Sequence, residues 1–187
     1  KMGASFATVR KKGNPFLFDA LDATMKEVLL PLMPGTRKTA VVIIGDGLDP
    51  IRLESLYMGC VSYSLRFFPD GKVTKNSLKQ AELAARAELQ TIVSDYRQTG
   101  WSVALGSSGS ARVLCDILEQ NGYSAGGITR TGLESLRAEL IRVGDVRRLE
   151  LHGLKADRIP VLPGGLAIMY AALSELGSGT ILVENLD

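Results

Sequence analysis

The chain has 187 residues, 45% of them apolar and 22% charged, which is the composition of a globular protein able to bury a core. Lys and Arg number 22 and Asp and Glu number 20, so the net charge of +2 is too balanced to predict binding to nucleic acid or to an anionic membrane. No window approaches about 18 consecutive apolar residues, so we expect no membrane-spanning helix.

The few cysteines and the single histidine limit which disulfide, metal and nucleophile sites the chain can form. Two cysteines, Cys60 and Cys115, are too few for a disulfide scaffold, and we interpret both as buried structural thiols because no base stands near them in sequence. The single histidine, His152, cannot build a His-rich metal site. No N-terminal stretch has the pattern of a secretory signal, so the expected compartment is the reducing cytoplasm.

In chain order, the first part predicts a helix followed by a meander of strands. Asn14 and Pro15 suit the N-cap and first helical positions, and the helix that they begin ends at Pro31. Short runs of apolar and β-branched residues then predict three strands, and a Pro-Asp-Gly turn follows them. The strands are expected at residues 41–44, 51–58 and 61–68, and the turn at residues 68–71.

The rest of the chain predicts helices that alternate with strands. An apolar stripe at helical spacing predicts a long helix from about Asn76 to Gly100. Thr131 and Glu134 predict a capping box for a later helix, which ends at Gly144. Further strands are expected at residues 101–105 and 180–183, and further helices at residues 111–120 and from residue 163 to a cap at Gly177. This order of elements predicts a mixed α/β lobe.

A loop of small residues is the first candidate binding site. It consists of Gly106, Ser107, Ser108, Gly109 and Ser110, and it connects a predicted buried strand to a helix. Its N–H groups and hydroxyls would lie at the positive end of the helix dipole, which suits a phosphate or a ribose. The pattern is neither a P-loop nor G-x-G-x-x-G, and a plain strand-to-helix turn is the alternative.

A second glycine-rich helix start is formed by Gly164 and Gly165, which follow Pro163. Two such helix starts in one lobe can meet at one anionic ligand, so both glycines are candidate phosphate contacts. Close helix packing at the two glycines is the alternative, and the local pattern alone favours it.

A basic turn before the first strand is the third candidate site. Arg37 and Lys38 lie in this turn and are suited to contact phosphate. The alternative is an exposed basic loop without a ligand.

Several separate motifs, in this order, resemble the exopolyphosphatase and guanosine pentaphosphate phosphohydrolase (Ppx/GppA) family. They occupy residues 44–62, 67–71, 100–110, 128–134 and 161–168, and include IGDGLDPIRLESLYMGCVS and GWSVALGSSGS. The resemblance runs from about Val41 to Val183, and it is specific because the motifs keep family-like spacing. It implies a lobe of the actin/sugar-kinase/Hsp70-like (ribonuclease H-like) α/β class, with a mixed sheet flanked by helices.

The resemblance also implies a chemistry. Family members release terminal phosphate from inorganic polyphosphate, or from guanosine pentaphosphate to give the tetraphosphate, with Mg²⁺. The implied ligand is therefore polyphosphate or a guanosine tetra- or pentaphosphate, and the family fold places the Gly164–Gly165 helix start beside the cleft. A homodimer is one assembly that fits this resemblance, whereas nucleic acid and membrane are not expected partners.

The chain also departs from the family pattern. Residues 32–40 stand where the family has a glycine-rich phosphate loop with acidic residues, and the upstream segment that carries the family's water-activating glutamate has no counterpart. We therefore predict a divergent N-terminal segment over residues 1–40 and a second-lobe domain over residues 41–187, with the catalytic and metal-binding residues unassigned. The predicted function is a phosphohydrolase of which this chain is a part. The alternative is a non-catalytic binding module that kept the fold.

Overall fold

The computed structural model describes residues 40–45, 50–101, 104–106, 108–177 and 179–183. The helix predicted after Asn14 and the basic pair Arg37 and Lys38 lie outside the described residues. The α-helices and strands of the described residues are β1 (Ala40–Gly45), β2 (Pro50–Leu56), α1 (Cys60–Phe67), α2 (Lys75–Thr99), β3 (Ala104–Leu105), α3 (Gly109–Gln120), β4 (Ile128–Thr129), α4 (Arg130–Val143), α5 (Leu162–Leu176) and β5 (Thr180–Leu182). Short 3₁₀ turns occupy Val146–Arg148 and Ala156–Val161.

The chain divides into two compact units, one of residues 1–37 with 41–55 and the other of residues 38–40 with 56–187. Strands β1 and β2, both predicted from the sequence, pair in a two-stranded sheet that belongs mainly to the first unit. The second unit contains the helices and a three-stranded sheet in the order β3–β5–β4. The predicted boundary at residue 40 stays a prediction.

Strand β5 is the centre of the three-stranded sheet. It runs parallel to β3, with Ala104 opposite Ile181, and antiparallel to β4, with Ile128 opposite Ile181. Ile128 and Ile181 are both buried, and helices α3 and α4 contact β4. This mixed sheet flanked by helices confirms the predicted α/β fold class.

The core of the second unit is built around α5, which contacts α1, α2, α3 and α4. A helix with neighbours on most sides is apolar nearly all round, and this explains the composition of α5. The long helix α2 supplies the predicted apolar stripe and ends at the predicted Gly100. Its buried stripe residues are Leu78, Ala81, Ala85, Leu89, Ile92 and Tyr96.

One described helical stretch, Ala156–Leu176, is long and apolar enough to cross a membrane if judged by length and composition, and an 18-residue window within it has a mean hydropathy of 1.4. In the structure, 44% of that window is buried inside the protein. Central helices of globular folds meet the same criterion, and α5 makes up most of this stretch. Its burial among four helices therefore accounts for its apolar character.

The third predicted strand, at residues 61–68, is wrong because this segment forms helix α1. Tyr63 and Ser64 are neighbours and both are buried, whereas Leu65 is 69% exposed. A strand that buried Tyr63 would expose Ser64 and bury Leu65, since successive side chains of a strand point to opposite faces. The local residues favour a strand, but the packing of this segment on α5, which lies far along the chain, stabilises a helix instead.

Helix α4 begins two residues earlier than its predicted capping box requires. Its N-cap is Thr129, whose Oγ1 accepts a hydrogen bond from the Gly132 N–H at 3.1 Å. The predicted Thr131–Glu134 capping box is therefore wrong. Glu134 instead pairs with Arg130 on the helix surface at 3.2 Å.

A buried carboxylate, Asp145, joins the segment before α2 to the segment after α4. Its Oδ2 accepts from Lys72 Nζ at 2.9 Å, and its two oxygens accept from Arg147 Nε and Nη2 at 2.9 and 2.7 Å. Hydrogen bonds from Arg147, and then from Lys72, hold the pKa of the Asp145 carboxyl well below its usual range.

We predict that Asp145→Asn lowers stability at pH 7, and that its difference from the unsubstituted protein shrinks as the pH falls below about 4. A carboxyl whose folded pKa lies below its unfolded value contributes its full stability above the unfolded pKa and loses it as the pH falls towards the folded pKa. Urea unfolding at a series of pH values measures this difference. A difference that stays constant from neutral to acidic pH would contradict the ion-pair interpretation.

Candidate functional site

Gly106 follows β3 and leads towards α3. Its N–H donates to the Leu182 carbonyl oxygen at 2.8 Å, which extends the pairing of β3 with β5. A Cβ on Gly106 would lie 2.9 Å from Ala111 Cβ and 3.1 Å from Ile181 Cγ2, so glycine lets α3 pack this closely on the sheet. Gly106 is therefore a packing residue, and its amide is not available to the phosphate that the sequence predicted.

Residues 108–110, here called the α3 start, form the N-cap and first turn of α3. Ser108 is the N-cap, and its Oγ accepts from the Ala111 N–H at 3.1 Å. Gly109 and Ser110, predicted as loop, are the first two helical residues, where N–H groups have no acceptor within the helix. Ser108 and Gly109 are exposed and Ser110 is half-buried, while Ser107 lies outside the described residues. The α3 start thus presents amides at the protein surface.

Arg158 lies directly against the α3 start. A Cβ on Gly109 would lie 3.2 Å from both Nη1 and Nη2 of Arg158. Arg158 Nε also pairs with Asp157 Oδ2 at 3.1 Å, and the Asp157 side chain is 68% exposed. Sequence reasoning missed Arg158, because one arginine in a Lys-Ala-Asp-Arg-Ile-Pro segment carries no local signal. Only its place shortly before the second glycine-rich helix start could have suggested it.

The structure brings the two predicted helix starts together. A Cβ on Gly165 would lie 3.5 Å from Ser110 Cβ and 3.6 Å from Cys60 Cβ, so the first turns of α1, α3 and α5 meet here. A cavity of about 10 Å³, which holds about one water molecule, lies at this junction. It is lined by Ser110, Val113, Leu114, Arg158, Val161, Leu162 and Gly165. A phosphate is larger than this cavity, so it would bind at the exposed rim.

Residues 162–165, here called the α5 start, offer fewer amides than predicted. The Leu162 N–H donates to the Ile159 carbonyl oxygen, Pro163 has no N–H, and the Gly164 N–H donates to Ser64 Oγ at 3.1 Å. Gly164 is therefore a packing residue, as the alternative interpretation held, and not a free phosphate contact. Gly165 is buried, and its contact with a ligand stays a prediction.

The two thiols lie in different environments. Cys115 is buried, as predicted, and its Sγ donates to Glu119 Oε1 at 3.3 Å. Burial, and then the Glu119 hydrogen bond, raise the pKa of Cys115 to about 11, so this thiol stays protonated and unreactive at neutral pH. Cys60 is the first residue of α1 and is only partly buried, which corrects the prediction of a buried thiol in a strand.

Mg²⁺, which the family resemblance implies, finds no clear set of ligands in the part of the chain that the structure describes. Within these residues, no three His, Cys, Asp or Glu side chains come together as a metal-binding group. Mg²⁺ prefers carboxylate and phosphate oxygens together with several waters. We therefore assign no described residue to the metal and derive no reaction step through it.

We predict that Gly164→Ala destabilises the protein by about 1–3 kcal/mol, because the added methyl overpacks the contact between α1 and α5. A Cβ at this position would lie 2.6 Å from Ser64 Oγ and 2.8 Å from the Ser64 backbone nitrogen. Gly165→Ala is the matched control, since its Cβ meets neighbours only at 3.5 Å or more. Thermal unfolding of both variants measures the effect, and equal losses would contradict this assignment of the two glycines.

Comparisons with known sequences give one consistent result. The sequence model of the Ppx/GppA phosphatase family matches residues 39–185. The chain is 38% identical over 136 residues to a guanosine-5′-triphosphate,3′-diphosphate pyrophosphatase of Aeromonas hydrophila, covering 73% of this chain and 27% of the relative. It is 36% identical over 135 residues to the protein of that name in Aeromonas salmonicida, covering 72% and 27%. The chain thus spans about a quarter of the length of these relatives.

Solved structures show a similar fold. An Aquifex aeolicus PPX-GPPA enzyme superposes with a TM-score of 0.61 at 18% identity, covering 81% of this chain and 51% of that one. An exopolyphosphatase from Cytophaga hutchinsonii superposes with a TM-score of 0.64 at 15% identity, covering 80% and 50%. At these identities the likeness concerns the fold alone. Since the family match extends over most of the chain, from strand β1 to beyond strand β5, this protein belongs to the Ppx/GppA phosphatase family.

Proposed function

We propose that the protein is part of a phosphohydrolase that releases the terminal phosphate of guanosine pentaphosphate or of inorganic polyphosphate. In this reaction water attacks the terminal phosphorus and the phosphoanhydride P–O bond breaks. The products are inorganic phosphate and a polyphosphate or guanosine nucleotide that is one phosphate shorter. Family membership supports the proposal, as do relatives named guanosine-5′-triphosphate,3′-diphosphate pyrophosphatases. Those relatives are about four times as long as the matched region, which is 27% of each, so the activity of the whole protein is a proposal.

The structural observation that carries the phosphate-binding part of the proposal is the Arg158 guanidinium lying against the exposed α3 start. Amides at a helix start and an arginine side chain both bind phosphate oxygens well, because they combine directed N–H donors with positive charge. The present partner of Arg158 is the exposed carboxylate of Asp157. Replacing the Asp157 carboxylate by a phosphate as the partner of Arg158 costs little free energy, because an exposed ion pair contributes little stability.

The α3 start would hold one phosphate through the N–H groups of Gly109 and Ser110 and the side chain of Arg158. The cavity behind it is too small for a phosphate, so the phosphate would lie at the surface. Such a surface recognises phosphate and not a base, so it suits polyphosphate and the phosphates of a guanosine nucleotide equally. These residues would bind and orient the substrate, and none of them is a base for the attacking water.

Three further features belong to the proposal through the family resemblance and the sequence. Mg²⁺ would neutralise phosphate charge when bound. A cytoplasmic location is proposed from the cysteine usage alone. Assembly as a homodimer is also proposed, with nucleic acid and membranes not among the partners.

A second candidate function is a non-catalytic module that binds the same phosphate compounds. The sequence favours it, because residues 32–40 lack the acidic residues of the family's phosphate loop.

We predict that Arg158→Ala weakens binding of polyphosphate and of guanosine tetraphosphate about fivefold to tenfold, because a charge-assisted contact to phosphate is lost. Lys155→Ala is the matched control, since it removes one positive charge from an exposed residue next to the same 3₁₀ turn. Its effect is expected to stay within about twofold, because salt screens the charge of an exposed side chain. Titration calorimetry at fixed salt measures both affinities. Equal losses in the two variants would mean that bulk charge, and not the Arg158 position, binds phosphate.

Phosphate release by this chain would favour the phosphohydrolase over the non-catalytic module, whereas its absence fits both candidate functions. We predict that this chain alone, with Mg²⁺, hydrolyses polyphosphate weakly or not at all, since a water without a positioned general base forfeits a rate factor of about 10²–10⁴. A colorimetric assay for inorganic phosphate measures the turnover, and calorimetry on the same sample measures binding. Turnover of about one per second, which is an ordinary enzymatic rate, would contradict the prediction and show that a carboxylate of this chain serves as base.

A further inference from the structure

We propose that Ser64 is a positioning residue for phosphate binding, acting through the α5 start on Arg158. This inference rests on the proposed function, because it takes Arg158 as a phosphate contact. Ser64 lies on α1 and touches no ligand in this proposal. Its effect is on where Arg158 is held relative to the α3 start.

The hydrogen bond between Ser64 and Gly164 fixes the α5 start to α1. Ser64 is 5% exposed, and its Oγ accepts from the Gly164 N–H at 3.1 Å in a buried setting. This N–H lies in the first turn of α5, where the helix itself supplies no acceptor. A buried donor without a partner is costly, so Ser64 determines where the α5 start can lie.

The α5 start is continuous with the 3₁₀ turn that carries Arg158. The turn spans Ala156–Val161, and the Leu162 N–H donates back to the Ile159 carbonyl oxygen, so turn and helix form one hydrogen-bonded unit. Helix α1 contacts this turn as well as α5. A shift of the α5 start relative to α1 therefore moves Arg158 relative to the α3 start, which it meets at Gly109.

A double-mutant cycle in the full chain tests the inference. Ser64→Ala is expected to weaken binding of inorganic polyphosphate about threefold, and the Ser64→Ala/Arg158→Ala variant to bind no more weakly than Arg158→Ala alone, because coupled residues do not add. Ser64→Thr keeps the acceptor oxygen but adds a methyl to a crowded buried contact, so it is expected to bind polyphosphate more tightly than Ser64→Ala and more weakly than the unsubstituted chain. Ser62→Ala is the matched control, since Ser62 lies on the same helix and its exposed Oγ donates locally to the Gly59 carbonyl oxygen at 3.0 Å.

The outcomes distinguish this inference from the proposed function. No binding of polyphosphate by the unsubstituted chain overturns the phosphate-binding function, and the role of Ser64 with it. If the unsubstituted chain binds polyphosphate, two results overturn the role of Ser64 but leave the proposed function intact. One is an unchanged affinity in Ser64→Ala, and the other is a double variant in which the losses of the two single variants multiply. If Ser64→Ala does not fold, Ser64→Cys replaces it in the cycle, because a thiol is a weaker acceptor than a hydroxyl. Equal losses in Ser64→Ala and Ser62→Ala also overturn the positioning role.

Discussion

The direct contact between the backbones of α1 and α5 is the constraint on which the second unit depends. Gly164 makes this contact possible, because any side chain there would collide with Ser64. Close approach of two helices buries more surface, and here the Gly164 N–H finds its acceptor in Ser64 at the same point. Since α5 also packs on α2, α3 and α4, its placement against α1 sets the position of the remaining helices.

Much of the fold could be predicted because its signals are local. The apolar stripe of α2 and the Gly100 that ends it can be read from the helix itself, and so can Pro163 at the beginning of α5. Helix α1 could not be predicted in this way. Its buried face is defined by α5, about 100 residues away along the chain, and its own residues suit a strand equally well.

The candidate site was predictable only in part, because glycine has two uses that look the same in a sequence. It lets a ligand approach the backbone, and it lets two pieces of backbone approach each other. The structure assigns Gly106 and Gly164 to the second use, whereas Gly109 is exposed at the α3 start. What separates these cases is the identity of the neighbour, and for Gly164 that neighbour is Ser64 on another helix. Arg158 could not be predicted for the same reason, because it meets the α3 start, about 50 residues earlier in the chain, only in the folded protein.

The order of strands in the sheet has a consequence for synthesis of the protein. Strands β3 and β4 each pair with β5, which follows both of them in the chain. Pairing over long sequence separations carries a loop-closure cost and is slow, whereas contacts within and between neighbouring helices form early. On the ribosome, α1 to α4 would therefore emerge first, and α5 and β5 would follow almost together, since only three residues separate them. Gly106 would find its partner Leu182 only then, so the α3 start would reach its final place late, together with the core around α5. A chain interrupted ahead of β5 would leave both neighbouring strands with unpaired edges, which favour aggregation.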